Sequence, residues 1–238
     1  MMYAKVVTVQ LINMMGYDVL FQDVDMHWYK NPLEAFHEEL SPLHDFDILF
    51  QDDGARSLRY APFCANSGFY FVRHNPKTRY LFISLLLQSD QIIAHHSHQQ
   101  VLSTMLTEHA SLYGLKVKVL DTMDFPGGVN YHRRKYFSMF KDIREGNVTP
   151  WIFHMSWTHN KDNKLLYMKQ MGQWHLNKQC ENKNFQEIKE SKGDITDLVP
   201  LCCSAEPLIT CHYSDKPSVI NCNDSPPIDK GGKPFWKD

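Results

Sequence analysis

The chain has 238 residues, 43% of them hydrophobic, with a formal net charge of −2. That length suits one large domain or a domain with an appendage. The near-balanced charge gives no bulk electrostatic case for binding nucleic acid or an anionic membrane surface. No apolar run reaches the roughly 20 residues that cross a bilayer. The N-terminal stretch MMYAKVVTVQLINMMG has no basic n-region, long apolar core or small-residue cleavage site.

In chain order, Val7, Leu11 and Met14/Met15 form a helical stripe that Gly16 would stop. Residues 17–21 read as a buried strand. Asn31-Pro32 opens a helix running to Leu40, with Pro at its first position. DILFQDD (47–53) and NSGFYFVR (66–73) read as strands. Residues 75–88 and 97–110 read as helices, with Ser97 a suitable N-cap and Asp90-Gln91 in the loop between them. LKVKVLD (115–121) alternates at period 2 and PGG (126–128) breaks the chain. Residues 151–159 are read as a strand entering a polar loop, and 163–174 as an amphipathic helix. Strands separated by helices predict an α/β domain with a largely parallel sheet. From about residue 178 the composition turns polar, Pro-rich and Cys-rich, an irregular extension.

That extension holds Cys180, Cys202, Cys203, Cys211 and Cys222, while Cys64 stands apart. The spacing fits no zinc pattern, so disulfides and an oxidising, secretory-type compartment are the expectation. Five cysteines cannot all pair among themselves, which leaves one free or joined to Cys64. Asn147-Val-Thr and Asn223-Asp-Ser are glycosylation acceptors on paper. The basic cluster His132-Arg133-Arg134-Lys135 reads as a solvated face.

The chemistry centres on Asp23 and Asp25, which follow the apolar strand directly. On extended backbone, carboxylates at i and i+2 point the same way. Like charges so close disfavour each other unless a cation lies between them. Mg²⁺ or Mn²⁺ takes oxygen ligands and keeps positions open for substrate phosphates. Asn66-Ser67-Gly68 precedes an aromatic strand, where Gly68 permits close backbone approach and Asn66 offers a donor and an acceptor. His154, inside an apolar strand, is a candidate nitrogen ligand. His95, His96 and His98 lack the companions of a zinc site.

Together these stretches resemble a GT-A-type glycosyltransferase of the nucleotide-diphospho-sugar transferase family, similar to plant and algal Golgi arabinosyl- and xylosyltransferases. GYDVLFQDVDMHWYKNP, ANSGFYFVRHNPKT, HSHQQVLSTML, LKVKVLD and WIFHMSWTHNKDNK carry the resemblance, over roughly residues 4–174. It implies a Rossmann-like domain over residues 1–177 followed by the extension over 178–238. It implies transfer of a sugar from a nucleotide-diphosphate donor, UDP-linked above all, to a glycan or glycoprotein, with the anomeric configuration retained.

By the resemblance, Asp23, Asp25 and His154 hold Mn²⁺ or Mg²⁺. Asp23, Asp25, Asn66, Ser67, Gly68, His98 and Gln99 bind donor, and Gln99 and Asn66 are the catalytic candidates. The family's Asp-Gln pair is here His98-Gln99. The family's first nucleotide-binding strand and any membrane anchor are expected upstream of Met1, so the resemblance implies an N-terminally shortened chain from a Golgi or secretory parent. A sugar-binding descendant without catalysis and a metal-dependent phosphodiesterase are the other readings.

Overall fold

A computed structural model describes residues 2–132, 137–144, 146–158, 161–170, 173–192 and 198–205. Two compact units divide the chain. Residues 1–132 and 149–157 form the first, and residues 133–148 and 158–238 belong to the second.

In the first unit, helix α1 (Met2–Met14) leads into strand β1 (Val19–Gln22). Short strand β2 (Met26–Trp28), helix α2 (Pro32–His37) and strand β3 (Ile48–Asp52) follow, then strand β4 (Ala65–Val72). Helices α3 (Pro76–Leu87), α4 (Ser89–Ala94) and α5 (His98–Tyr113) precede strand β5 (Val117–Val119). The short helix α6 (Gly128–Tyr131) and strand β6 (Ile152–His154) complete the unit. Local chemistry sets several boundaries. Asn31 caps α2 by accepting from Leu33 N at 3.2 Å, with Pro32 at the first helical position. Asn75 caps α3 with a reciprocal capping box to Thr78. Gly16 (φ 97°) and Gly114 (φ 63°) follow the ends of α1 and α5 in the left-handed region that glycine tolerates.

The main sheet has order β1-β4-β3-β5, and only the β3–β5 pair is parallel. The predicted, mostly parallel sheet is therefore corrected to a mixed α/β unit with mostly antiparallel strands. The sequence misleads here because both faces are covered. Ile48, Phe50, Tyr70 and Val72 pack under Val6, Val9, Leu81, Phe82, Leu102 and Leu106 of the α1, α3 and α5 layer. Leu49, Phe69 and Phe71 turn the other way, against Ala35, Phe36, Phe125 and Ile152. A strand buried on both faces is apolar throughout, the pattern usual for parallel sheets, whatever the direction of its neighbours.

The stripe predicted for α1 is also corrected. Val6, Val9, Gln10 and Asn13 face inward, while Leu11, Met14 and Met15 are exposed. Apolar residues occur on every side of this helix, so periodicity does not choose the face. Polar contacts help to: Asn13 Nδ2 donates to Tyr17 O at 3.1 Å, and Asn13 O receives the His74 ring at 2.7 Å. Asp90 and Gln91 lie on α4 rather than in a loop. Ser97 stands at the N-cap of α5, but its side chain makes no capping bond.

In the second unit, helices α7 (Phe137–Arg144) and α8 (Lys161–Gln170) precede a short 3₁₀ turn over Lys178–Cys180. Helices α9 (Phe185–Lys192) and α10 (Val199–Cys202) follow, so the described part of the extension is more regular than expected. Cys180 and Cys202 form a disulfide packed with Ile188, Leu176, Leu198 and Leu201. Cys64 and Cys203 are free thiols. Asn147 is exposed. Arg133, Arg134, Lys135, Cys211, Cys222 and Asn223 lie outside the described residues. Among the described residues no helix is long and apolar enough to cross a membrane.

Candidate metal and sugar site

Antiparallel β1 runs beside β4 until Gln22 pairs with Phe69, and Asp23 N then donates to Gly68 O at 2.7 Å. This fixes Asp23 at the open end of the sheet. The chain next enters β2, where Met26 pairs with His154 of β6. Met155 N bonds Asp25 O at 3.0 Å, so Asp25 is tied to the strand that carries His154. Val24, between the two acids, is fully exposed, and both carboxylates turn inward, as the i, i+2 spacing requires.

Ligand atoms of Asp23, Asp25 and His154 lie within 4.8 Å of one another. His154 is 3% exposed, and its Nε2 is 3.4 Å from Asp25 Oδ1. The other ring nitrogen settles the tautomer. Gln51, fully buried, spends both amide hydrogens on carbonyl oxygens, Phe125 O at 3.0 Å and Pro126 O at 2.9 Å. Its Oε1, 2.7 Å from His154 Nδ1, must therefore accept the Nδ1 hydrogen. In the neutral ring, Nε2 then keeps a lone pair facing the two carboxylates. The 3.4 Å separation is longer than a charge-assisted hydrogen bond. Two carboxylates and one imidazole, with the tautomer fixed from behind, fit a divalent cation. Removing the acceptor in Gln51→Leu is expected to weaken Mn²⁺ binding by roughly 10–100-fold in calorimetry.

Gly68 sits directly behind this group. A Cβ placed on it would lie 2.6 Å from His154 Cε1 and 2.8 Å from Asp23 Oδ2. A bulge brings it there: the β3–β4 register jumps from Phe50–Tyr70 to Gln51–Asn66, releasing residues 67–69 from the β3 pairing. The same irregularity aims Gln51 at His154. Asn66 Oδ1 accepts from Gly68 N at 2.7 Å, and its Nδ2 donates to Asp53 Oδ1 at 3.1 Å. Ser67 donates to Gln99 Oε1 through both its N and its Oγ, each at 3.0 Å. With that oxygen occupied, the Gln99 amide nitrogen is the group that bonds the Asp53 carboxylate. Asn66, Ser67 and Gln99 thus form one network that ends on Asp53.

Burial raises the pKa of Asp53, against the lowering effect of the Gln99 bond; Asp52 raises it further, and His154 and Asn66 lower it. His98 is brought alongside as well. Burial first, then the nearby Lys5 ammonium, push its pKa down to about 4, against the opposing pull of Asp23. It is therefore neutral at physiological pH. Lys5, on α1, forms an ion pair with Asp23. His95 and His96 are exposed and remain apart from the cation-type group found among the described residues.

Sequence reasoning missed Gln51, Asp53, Lys5 and Trp157. Gln51-Asp52-Asp53 carries the same signal as Asp23-Val24-Asp25, polar residues at the end of an apolar strand. Lys5 gives no such signal. Two glycines of the PGG stretch matter too. Gly127 bridges to His154, and Gly128 N donates to Ser156 Oγ at 3.1 Å. A Cβ on Gly128 would fall 1.6 Å from Ser156 O. This close approach seats the segment that carries His154 and Trp157.

In this mixed α/β unit, two carboxylates and an imidazole converge at the sheet end, a group that could hold a metal ion. The family model of nucleotide-diphospho-sugar transferases matches residues 1–168, and the chain belongs to that family. A curated relative is a UDP-galactose:fucoside alpha-3-galactosyltransferase of Dictyostelium discoideum, 26% identical over 217 residues. The match covers 77% of this chain and 31% of the relative, so the chain spans about a third of that protein's length. No solved structure matches.

Proposed function

We propose that this domain transfers a sugar from a nucleotide-diphosphate donor to a carbohydrate acceptor, with Asp23, Asp25 and His154 holding a divalent cation, Mn²⁺ or Mg²⁺. The observation that carries the reading is the convergence of these three ligand groups, with Gln51 directing the His154 lone pair inward. A cation bound there supplies Lewis-acid neutralisation of the departing diphosphate. The chain's own residues do the rest. The two carboxylates and the His154 ring would hold that cation, and the missing side chain of Gly68 leaves them room to converge. Ser67, Asn66 and Gln99 line the donor-sugar pocket, with neutral His98 beside them.

The activity of the Dictyostelium relative favours UDP-galactose as donor and a fucoside as acceptor. The anomeric configuration is retained, with Asn66 and Gln99 the amide groups beside the sugar and the Asp53 carboxylate held in their network. The reaction is assigned to residues 1–177, with 178–238 as an extension, and the Cys180–Cys202 disulfide accords with a Golgi or secretory setting.

The test is UDP release from UDP-galactose with a fucoside acceptor and Mn²⁺. Asp25→Ala is expected to lower the rate by more than about a hundredfold. Equal rates in the variant and the parent would refute the reading. A second reading rests on the Lys5–Asp23 ion pair, in which the ammonium neutralises a carboxylate without any metal. It describes a sugar-binding domain without catalysis and predicts glycan binding unchanged by a chelator.

A further inference from the structure

Beside the metal-type group lies a cleft of different chemistry. Asp53 and Gln99 line it together with Ser57, Arg59, Tyr60 and Trp157. The loop after β3 is held in shape at several points. Asp53 N bonds Cys64 O at 2.8 Å and Cys64 N bonds Tyr60 O at 2.7 Å. Arg56 clasps Asp52 through both terminal nitrogens, at 2.7 and 2.5 Å. Gly54, at φ 72°, passes so close to Val129 that a Cβ would lie 2.4 Å from its Cγ1.

Trp157 is the unusual member. Its backbone sits at φ 66°, a region a bulky residue seldom enters without a compensating hold. Here the hold is the indole Nε1, which donates to Asp53 O at 2.7 Å. The residue is nonetheless 42% exposed. A strained backbone thus presents a large aromatic surface to solvent beside a carboxylate that is 7% exposed. That carboxylate accepts from Asn66 and Gln99, and a carboxylate has about four lone-pair sites, so acceptor capacity remains.

An aromatic plate next to a carboxylate, an amide and a guanidinium is complementary to a pyranose ring. Such a ring has a C–H face that lies on the negative face of an indole, and hydroxyls at its edge that hydrogen-bond polar groups. We propose that this cleft is the subsite of the accepting sugar: a pyranoside lies on Trp157 and donates a hydroxyl hydrogen bond to the Asp53 carboxylate. The placement rests on the transferase reading, because Asn66 joins Asp53 to Gly68 and so sets the cleft beside the metal-type group.

The test titrates the methyl glycosides of L-fucose, D-galactose and D-xylose into the full chain with Mn²⁺ and UDP present. Saturation-transfer NMR and tryptophan fluorescence report binding. At least one glycoside is expected to bind, with Trp157→Ala weakening it about tenfold or more and Trp157→Phe by a few-fold. The affinity for Mn²⁺–UDP is expected to stay within about twofold in both variants. No binding of any of the three glycosides to the parent chain would overturn the proposal. So would a loss of UDP affinity in Trp157→Ala as large as the loss for the glycoside, since the cleft would then serve the donor. Glycoside binding that depends on Trp157 in a chain that binds no UDP would sustain the subsite and refute the transferase reading instead.

Discussion

Gly68→Ala is expected to abolish metal-dependent UDP binding while leaving the fold in place. The added methyl would lie 2.6 Å from His154 Cε1, 2.8 Å from Asp23 Oδ2 and 3.0 Å from Asn66 Oδ1. Contacts under about 3 Å between such atoms must open, and the question is what yields. The His154 ring is buried and tied to Gln51, so it cannot rotate away without breaking that bond. Asp23 is partly exposed and is the side chain freest to swing outward. The groups that yield are therefore the proposed ligands themselves. A three-ligand site that loses one carboxylate position is expected to lose at least a hundredfold in Mn²⁺ affinity, about 2.7 kcal/mol or more. Far-UV circular dichroism and a thermal melt, beside calorimetry, separate site loss from unfolding. Unaltered Mn²⁺ affinity in this variant would mean that Gly68 does not back the site.

Gly128→Ala is expected to destabilise the first unit as a whole, by at least about 4 kcal/mol. Its Cβ would fall 1.6 Å from Ser156 O and 2.5 Å from Ser156 C, which are backbone atoms and cannot turn aside as a side chain end can. Residues 155–157 would have to move, and with them His154, bonded through its N to Pro126 O at 3.1 Å. Gly127→Ala is the control. There the nearest atom is Ser156 Oγ at 3.2 Å, a hydroxyl able to give by a few tenths of an ångström, and a loss near 1 kcal/mol is expected. Chemical denaturation of the two variants checks the contrast, and equal stabilities would contradict it.

The elements that were legible in the sequence are those whose signals are local. Asn31-Pro32 and Asn75-Pro76 announce helix starts by cap chemistry, and Gly16 marks a helix end by backbone freedom. Asp23 and Asp25 were legible because two charges directly after an apolar strand need a partner. Strand direction was not legible: residues 48–52 and 65–72 are buried on both faces, which erases the alternation that separates the sheet types. Nor was the inward face of α1, where Gln10 and Asn13 lie buried while Leu11 and Met14 are exposed. Gln51 and Trp157 escaped for a related reason. Each acts through a residue about a hundred positions away in the chain, His154 and Asp53 respectively, and no spacing rule reaches so far.

The proposed role of Asp23, Asp25 and His154 is to hold a cation that engages a donor's diphosphate. Calorimetric titration of Mn²⁺ into the chain with UDP present, beside Asp25→Ala, tests it most directly. Saturable binding that requires both Mn²⁺ and UDP is expected in the parent, and its loss in the variant. UDP binding of equal strength in both proteins, or in the presence of a chelator, would contradict it.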